Sequence, residues 1–98
     1  MTYEEFTAQC RTPAAESGAL SAALTALRLD RLNDWDGAHD AAQVGDTDEG
    51  AWVHAYLHRK EGDLSNARYW YHRAKKPEFK GTLEEEWEAI AKALTAST

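Results

Sequence analysis

The chain has 98 residues, room for one domain with a single modest core. Hydrophobic residues make up 43% of it and charged ones 29%, with six Gly and two Pro, which excludes a disordered or collagen-like chain. One cysteine, Cys10, excludes an internal disulfide or a multi-cysteine metal cluster, and a net charge of −6 argues against general nucleic-acid binding.

In chain order, Thr2 with Glu5 reads as a capping box opening a short helix to about Arg11. Thr12-Pro13 ends it, because the residue before proline is pushed out of helical angles. A second helix is expected from about Ser17 to Leu32. It is apolar on two faces, with Leu20, Ala23, Leu24 and Leu27 on one and Ala22, Ala26, Leu29 and Leu32 on the other, as a central helix is. Asn33 or Asp34 caps a third helix that carries Trp35, Ala38, His39, Ala42 and Gln43, and Gly45-Asp46 breaks it. Asp48 is the expected cap of a fourth helix, terminated by Gly62. A fifth runs from Asp63 or Leu64 to Lys75, with Leu64, Ala67, Tyr71 and Ala74 on one stripe. After a loop at Pro77 and Gly81, Thr82 with Glu85 forms a second capping box. Leu83, Trp87, Ile90 and Leu94 then make an apolar seam that suits either the chain's own bundle or a second copy.

No stretch alternates long enough for a strand, so the fold class is all-α: a compact bundle of five to six helices in one domain, residues 1–98. The acidic, aromatic start lacks the basic and apolar regions of a secretory signal, and no run approaches the ~20 apolar residues of a membrane span. A cytoplasmic protein is expected, where a lone cysteine stays reduced. Charge is uneven: residues 1–57 carry net −7, residues 58–80 net +4 and residues 81–98 net −3. Pairing within the chain accounts for this pattern, and a docking site for an acidic partner is the sharper alternative.

Asn33–His39 (N-D-W-D-G-A-H) aligns with Gly62–Arg68 (G-D-L-S-N-A-R) at an offset of 29 residues. Each is a tight turn with Asp, then a large apolar residue, then an alanine three later. With Trp52 and Ala55 ahead of the second turn and Ala67, Tyr71 and Ala74 behind it, the chain resembles a tetratricopeptide-type repeat. The resemblance implies two short helical hairpins, about residues 17–45 and 48–76, closed by a capping helix at about 82–96. It departs from the family in period, in having Ala42 where an aromatic is expected, and in placing His54 and His58 at apolar positions. The run from His54 to Tyr71 is also similar to a group of short uncharacterised microbial proteins, which implies no activity.

His54 and His58 lie four apart on one helical face, with Glu61 three further on. Two imidazoles at that spacing can chelate a divalent metal such as Zn²⁺, with Glu61 as a third ligand or a base. Ala55 stands where a zincin has its glutamate, so that reading is excluded. His39 or Asp63 would complete a polar pocket with His54, His58 and Glu61 if the fold brings them close. The bland reading is a pair of core histidines facing Ala67, Tyr71 and Ala74 and hydrogen-bonded to Tyr71 or Asn66, with Arg59, Glu61 and Asp63 as a salt-bridged corner.

Aromatic residues are in surplus. Trp52, Tyr56 and Arg59 share one edge of the fourth helix, and Tyr69 and Arg73 one face of the fifth. By the repeat resemblance that edge lines a groove, and aromatics beside arginine are what binding hot spots are made of. The chain has no phosphate-binding loop, nucleophile elbow or Glu-x-x-His pair, which leans against an enzyme. The expected role is a protein- or peptide-binding helical module using Trp52, Tyr56, Arg59, Tyr69 and Arg73, without nucleic acid or membrane and without a resident cofactor. The alternative is a small-molecule or metal pocket centred on His54, His58 and Glu61.

Overall fold

Thr2, Ser21, Asp34, Thr47 and Asp63 each open a helix by accepting a backbone N–H from its first turn. The computed structural model describes residues 1–11 and 20–96, and among these it contains six helices and no strand. They are α1 (Tyr3–Cys10), α2 (Ala22–Arg31), α3 (Trp35–Ala42), α4 (Asp48–Glu61), α5 (Leu64–Ala74) and α6 (Leu83–Ala96), with a 3-10 turn at Val44–Asp46. The chain is an all-α bundle.

Both capping boxes form: the Glu5 carboxylate accepts the Thr2 N–H at 2.7 Å, and Glu85 accepts that of Thr82 at 2.8 Å. Two boundaries differ from expectation. Helix α2 starts at Ala22 rather than Ser17, because the Ser21 hydroxyl accepts the Leu24 N–H; Thr12-Pro13 and residues 17–19 lie outside the described residues. Thr47, not Asp48, caps α4, and Asp48 becomes an acidic first-turn residue, favourable at a helix N-terminus. Gly62 ends α4 in the left-handed conformation, at φ 91°.

Helix α2 is central, touching α1, α3, α4 and α6. Phe6, Leu24, Leu27, Val53, Leu57, Trp87 and Ile90 form the core, and the Trp87 indole N–H donates to the Leu27 carbonyl at 3.2 Å. The α6 seam is spent on this core: Trp87, Ile90 and Leu94 are buried within the chain. A smaller cluster of Ala55, Ala67 and Tyr71 joins α4 to α5. Helices α2–α3 and α4–α5 pack as neighbouring pairs, and nothing in that packing singles out a tetratricopeptide repeat from other helical hairpins.

Two buried carboxylates tie α4 and α5 to the other helices. Asp30 accepts the Tyr56 hydroxyl at 2.8 Å and pairs with Lys60 at 2.7 Å. Glu86, fully buried, accepts the Tyr71 hydroxyl at 2.5 Å and pairs with Arg59 at 2.9 Å. Arg73 and Lys75 pair with Asp46 and Asp48. These four cations of the basic segment 58–80 are thus paired within the chain. No helix among the described residues is long and apolar enough to cross a membrane.

Candidate metal centre

Three imidazoles meet where α3 crosses α4. The turn at Asn33-Asp34 sets α3 so that Trp35 and His39, four apart, face α4, and α4 presents His54 and His58. One ring nitrogen from each of His39, His54 and His58 lies within 4.8 Å of the others. His54 and His58 are buried, and His39 is half-buried. In a tetrahedral zinc site with Zn–N near 2.0–2.1 Å, ligand nitrogens stand about 3.3 Å apart. The His54 and His39 Nε2 atoms are 2.9 Å apart. That pair is at hydrogen-bond distance, slightly closer than two ligands of one tetrahedral ion.

Hydrogen bonds select the ring nitrogens. His58 Nδ1 lies 2.6 Å from Glu61 Oε2. An ionised carboxylate only accepts, so Nδ1 carries the proton and Nε2 keeps its lone pair, the arrangement seen behind metal-binding histidines. Gln43 Nε2 lies 3.0 Å from His39 Nδ1. With the amide N–H donating there, His39 Nε2–H donates to His54 Nε2. A half-turn of the exposed Gln43 amide, which gives up its 3.3 Å bond to the His39 carbonyl, sets its own carbonyl against Nδ1–H instead and leaves the His39 Nε2 lone pair free.

Aromatic rings wall the cluster. Trp35 stacks on His39 with centroids 5.0 Å apart, and Trp70 stacks on His54 at 3.9 Å. The Trp35 indole N–H is fixed on the Leu57 carbonyl at 3.2 Å. Burial first, then the neighbouring His39 and His58, push the His54 pKa down to about 4, so His54 is a neutral imidazole at ordinary pH. Soft-to-borderline divalent metals are what a neutral imidazole set takes.

The expected pocket is partly rearranged. His39, His54 and His58 come together, and Glu61 stands at His58 Nδ1 in a second group with Asp63 rather than beside His54. The reason is helical: the fourth side chain lies outside the α3–α4 crossing, at the end of α4. Asp63 caps α5, accepting the Asn66 N–H at 3.3 Å, and lies within 4.8 Å of the Glu61 and His58 ligand atoms on the outer side. The histidines do not bond to Tyr71 or Asn66, whose side chains go to Glu86 and Asp63. Ala55 meets Ala67 and Tyr71, while His58 turns towards α3 and His54 lies between His39 of α3 and Trp70 of α5. Nor does the Arg59–Glu61–Asp63 corner form, since Arg59 reaches Glu86 and the Gly81 carbonyl.

Tyr56 is 2% exposed with its hydroxyl on Asp30, which makes it a core residue that cannot touch a surface partner. The edge divides: Tyr56 meets α2, Arg59 reaches Glu86 of α6, and Trp52 lines a cleft with Asp48, Glu49, Ala74, Lys76 and Leu94. Trp52 is half-buried under Lys76, whose ammonium lies 4.4 Å from the ring centroid. Arg73 is engaged by Asp46 and Asp48, and Tyr69 is exposed. Cys10 is buried and its thiol is pushed up to about 11 by burial, so it is held as the protonated thiol at ordinary pH. Sequence reasoning missed Gln43, Trp35 and Trp70 as parts of the centre. The signal for one of them was present: Trp35 and His39 stand four apart on α3.

No family model matches the chain, nor does any curated protein or solved structure.

Proposed function

We propose that the protein binds one divalent transition-metal ion, Zn²⁺ being the best match, through His39, His54 and His58. The observation that supports this reading is the convergence of three imidazole nitrogens within 4.8 Å of one another across two helices. Buried polar rings need partners, and a plain structural role is met by pairs. Here His39 pairs with His54 and His58 with Glu61, and the carboxylate on His58 Nδ1 leaves its other ring nitrogen for a shared ion. Three neutral ligands from a rigid helix crossing make a zinc site with one position left for an outside ligand.

Calorimetric titration of untagged protein with Zn²⁺ tests the reading. One ion per chain is expected, and His39→Ala, His54→Ala and His58→Ala should each abolish binding while circular dichroism shows the helices intact. Unchanged binding in folded His54→Ala protein would overturn the assignment.

A further inference from the structure

The three histidines differ in what orients them from behind. Glu61 serves His58 and Gln43 serves His39, each through a hydrogen bond at Nδ1. Among the described residues, the hydrogen bond of His54 is to His39 itself, Nε2 to Nε2. An ion held by these two nitrogens replaces that bond, so no hydrogen bond then orients the His54 ring. Stacking does so instead. Trp70 of α5 lies on the His54 ring with centroids 3.9 Å apart and planes 17° from parallel, and His58 stacks on it at 4.7 Å.

Trp70 is held in this place by its own helix. Its neighbour Tyr71 is buried with its hydroxyl on the Glu86 carboxylate of α6 at 2.5 Å, and Arg73 pairs with Asp46, ahead of α4. The stack answers to an ion through charge. An imidazole that gives its lone pair to a divalent ion becomes electron-poor, and the negative face of an indole attracts such a ring more strongly than a neutral one. The stack is therefore tighter with the ion than without it, and the difference appears as affinity. Trp35 gives His39 a similar face at 5.0 Å, but from α3 itself, four residues away. Trp70 comes from a third helix.

We infer that Trp70 is the positioning residue of His54, and that its indole face makes α5 the third helix of the metal centre. This rests on the three-histidine reading and adds to it: affinity for the ion depends on an aromatic face from outside the α3–α4 crossing.

Zn²⁺ calorimetry and side-chain NMR on wild type, Trp70→Phe and Trp70→Leu test it. In wild type the His54 ring protons, lying over an indole face, should resonate upfield of those of the exposed His72, and should stay there when Zn²⁺ binds. Trp70→Phe keeps an aromatic face and should bind Zn²⁺ within about threefold of wild type, whereas Trp70→Leu keeps only apolar bulk and should bind about tenfold more weakly. A Trp70→Leu protein that binds as tightly as wild type, or a Trp70→Phe protein as weak as Trp70→Leu, overturns the role of Trp70 and leaves the metal site standing. Loss of the upfield position when Zn²⁺ binds to wild type does the same, and it decides the question if a variant fails to fold. Wild-type protein that takes up no Zn²⁺ overturns both readings.

Discussion

A carboxylate against an imidazole N–H decides which ring nitrogen can bind a metal. Glu61 makes that decision for His58, whereas Gln43, an amide, can serve His39 in either orientation. Two substitutions should therefore move affinity in opposite directions. Glu61→Gln should weaken Zn²⁺ binding by about 10- to 100-fold, the usual effect of losing an outer-shell carboxylate. Gln43→Glu should tighten it, by up to about tenfold, because a carboxylate holds the proton on Nδ1 and leaves Nε2 free. Calorimetry on both variants checks this, and a Gln43→Glu protein no tighter than wild type would refute the tautomer argument. His54 carries a second expectation, for metal-free protein. Its pKa is lowered to about 4 in the fold, so the unfolded chain binds the proton first as pH falls. The stabilisation is complete above about pH 6.5 and is lost progressively between there and about pH 4. One proton gives a slope of at most about 1.4 kcal/mol per pH unit. Glu84, held below its usual range by Arg31, yields its share only at lower pH, below about 4.5. Urea titrations with chelator present across this range should show the slope in wild type, and His54→Leu should flatten it.

Helix α3 is placed on α4 by a glycine. A Cβ at Gly50 would overlap the Ala42 carbonyl, so the end of α3 and the start of α4 approach as closely as backbone permits. His39 and His54 sit on these two helices. Gly50→Ala should push α3 outward, and binding of Zn²⁺ should fall by at least about tenfold, since ligand geometry tolerates only about half an ångström of error. A Gly50→Ala protein that binds as tightly as wild type would show that α3 is positioned otherwise. Gly62→Ala is the contrast: it strains a left-handed cap by about 1–2 kcal/mol, with no atom near enough to clash, and should leave affinity unchanged. The same distinction explains what could be read from sequence. Capping boxes, the Gly62 stop and the apolar seam of α6 are local patterns, decided by residues three or four apart, and they form. The meeting of His39 with His54, 15 residues away, depends on how closely two helices cross, which Gly50 and Ala42 settle without any periodic signal. Tyr56 shows the other limit. Its spacing from Trp52 and Arg59 placed all three on one edge of α4, but that Tyr56 itself turns onto α2 was decided by Asp30, 26 residues away.

At the scale of the whole molecule, the metal would join helices of a domain small enough to be marginally stable. A 98-residue chain buries only about two thirds of its unfolded surface, so a few kcal/mol is a large part of its margin. An ion that binds the folded state adds about 2.7 kcal/mol at a free concentration 100 times its Kd. In a domain of this length each kcal/mol raises Tm by about 4–8 °C. Zn²⁺ in that excess should therefore raise Tm by about 10 °C or more, and chelator should reverse the shift. The net charge of −6 favours encounter with a cation and could produce a weak, unspecific version of the same effect. Two controls separate the cases. Mg²⁺, which prefers oxygen ligands, shares the charge but should not shift Tm, and ionic strength that screens surface acids should leave the Zn²⁺ shift intact. His39→Ala should remove the shift, because the remaining pair lies on α4 alone and holds nothing to α3. If the Zn²⁺ shift survives in that variant, the ion is not joining the two helices, and the stabilisation belongs to α4 or to the acidic surface.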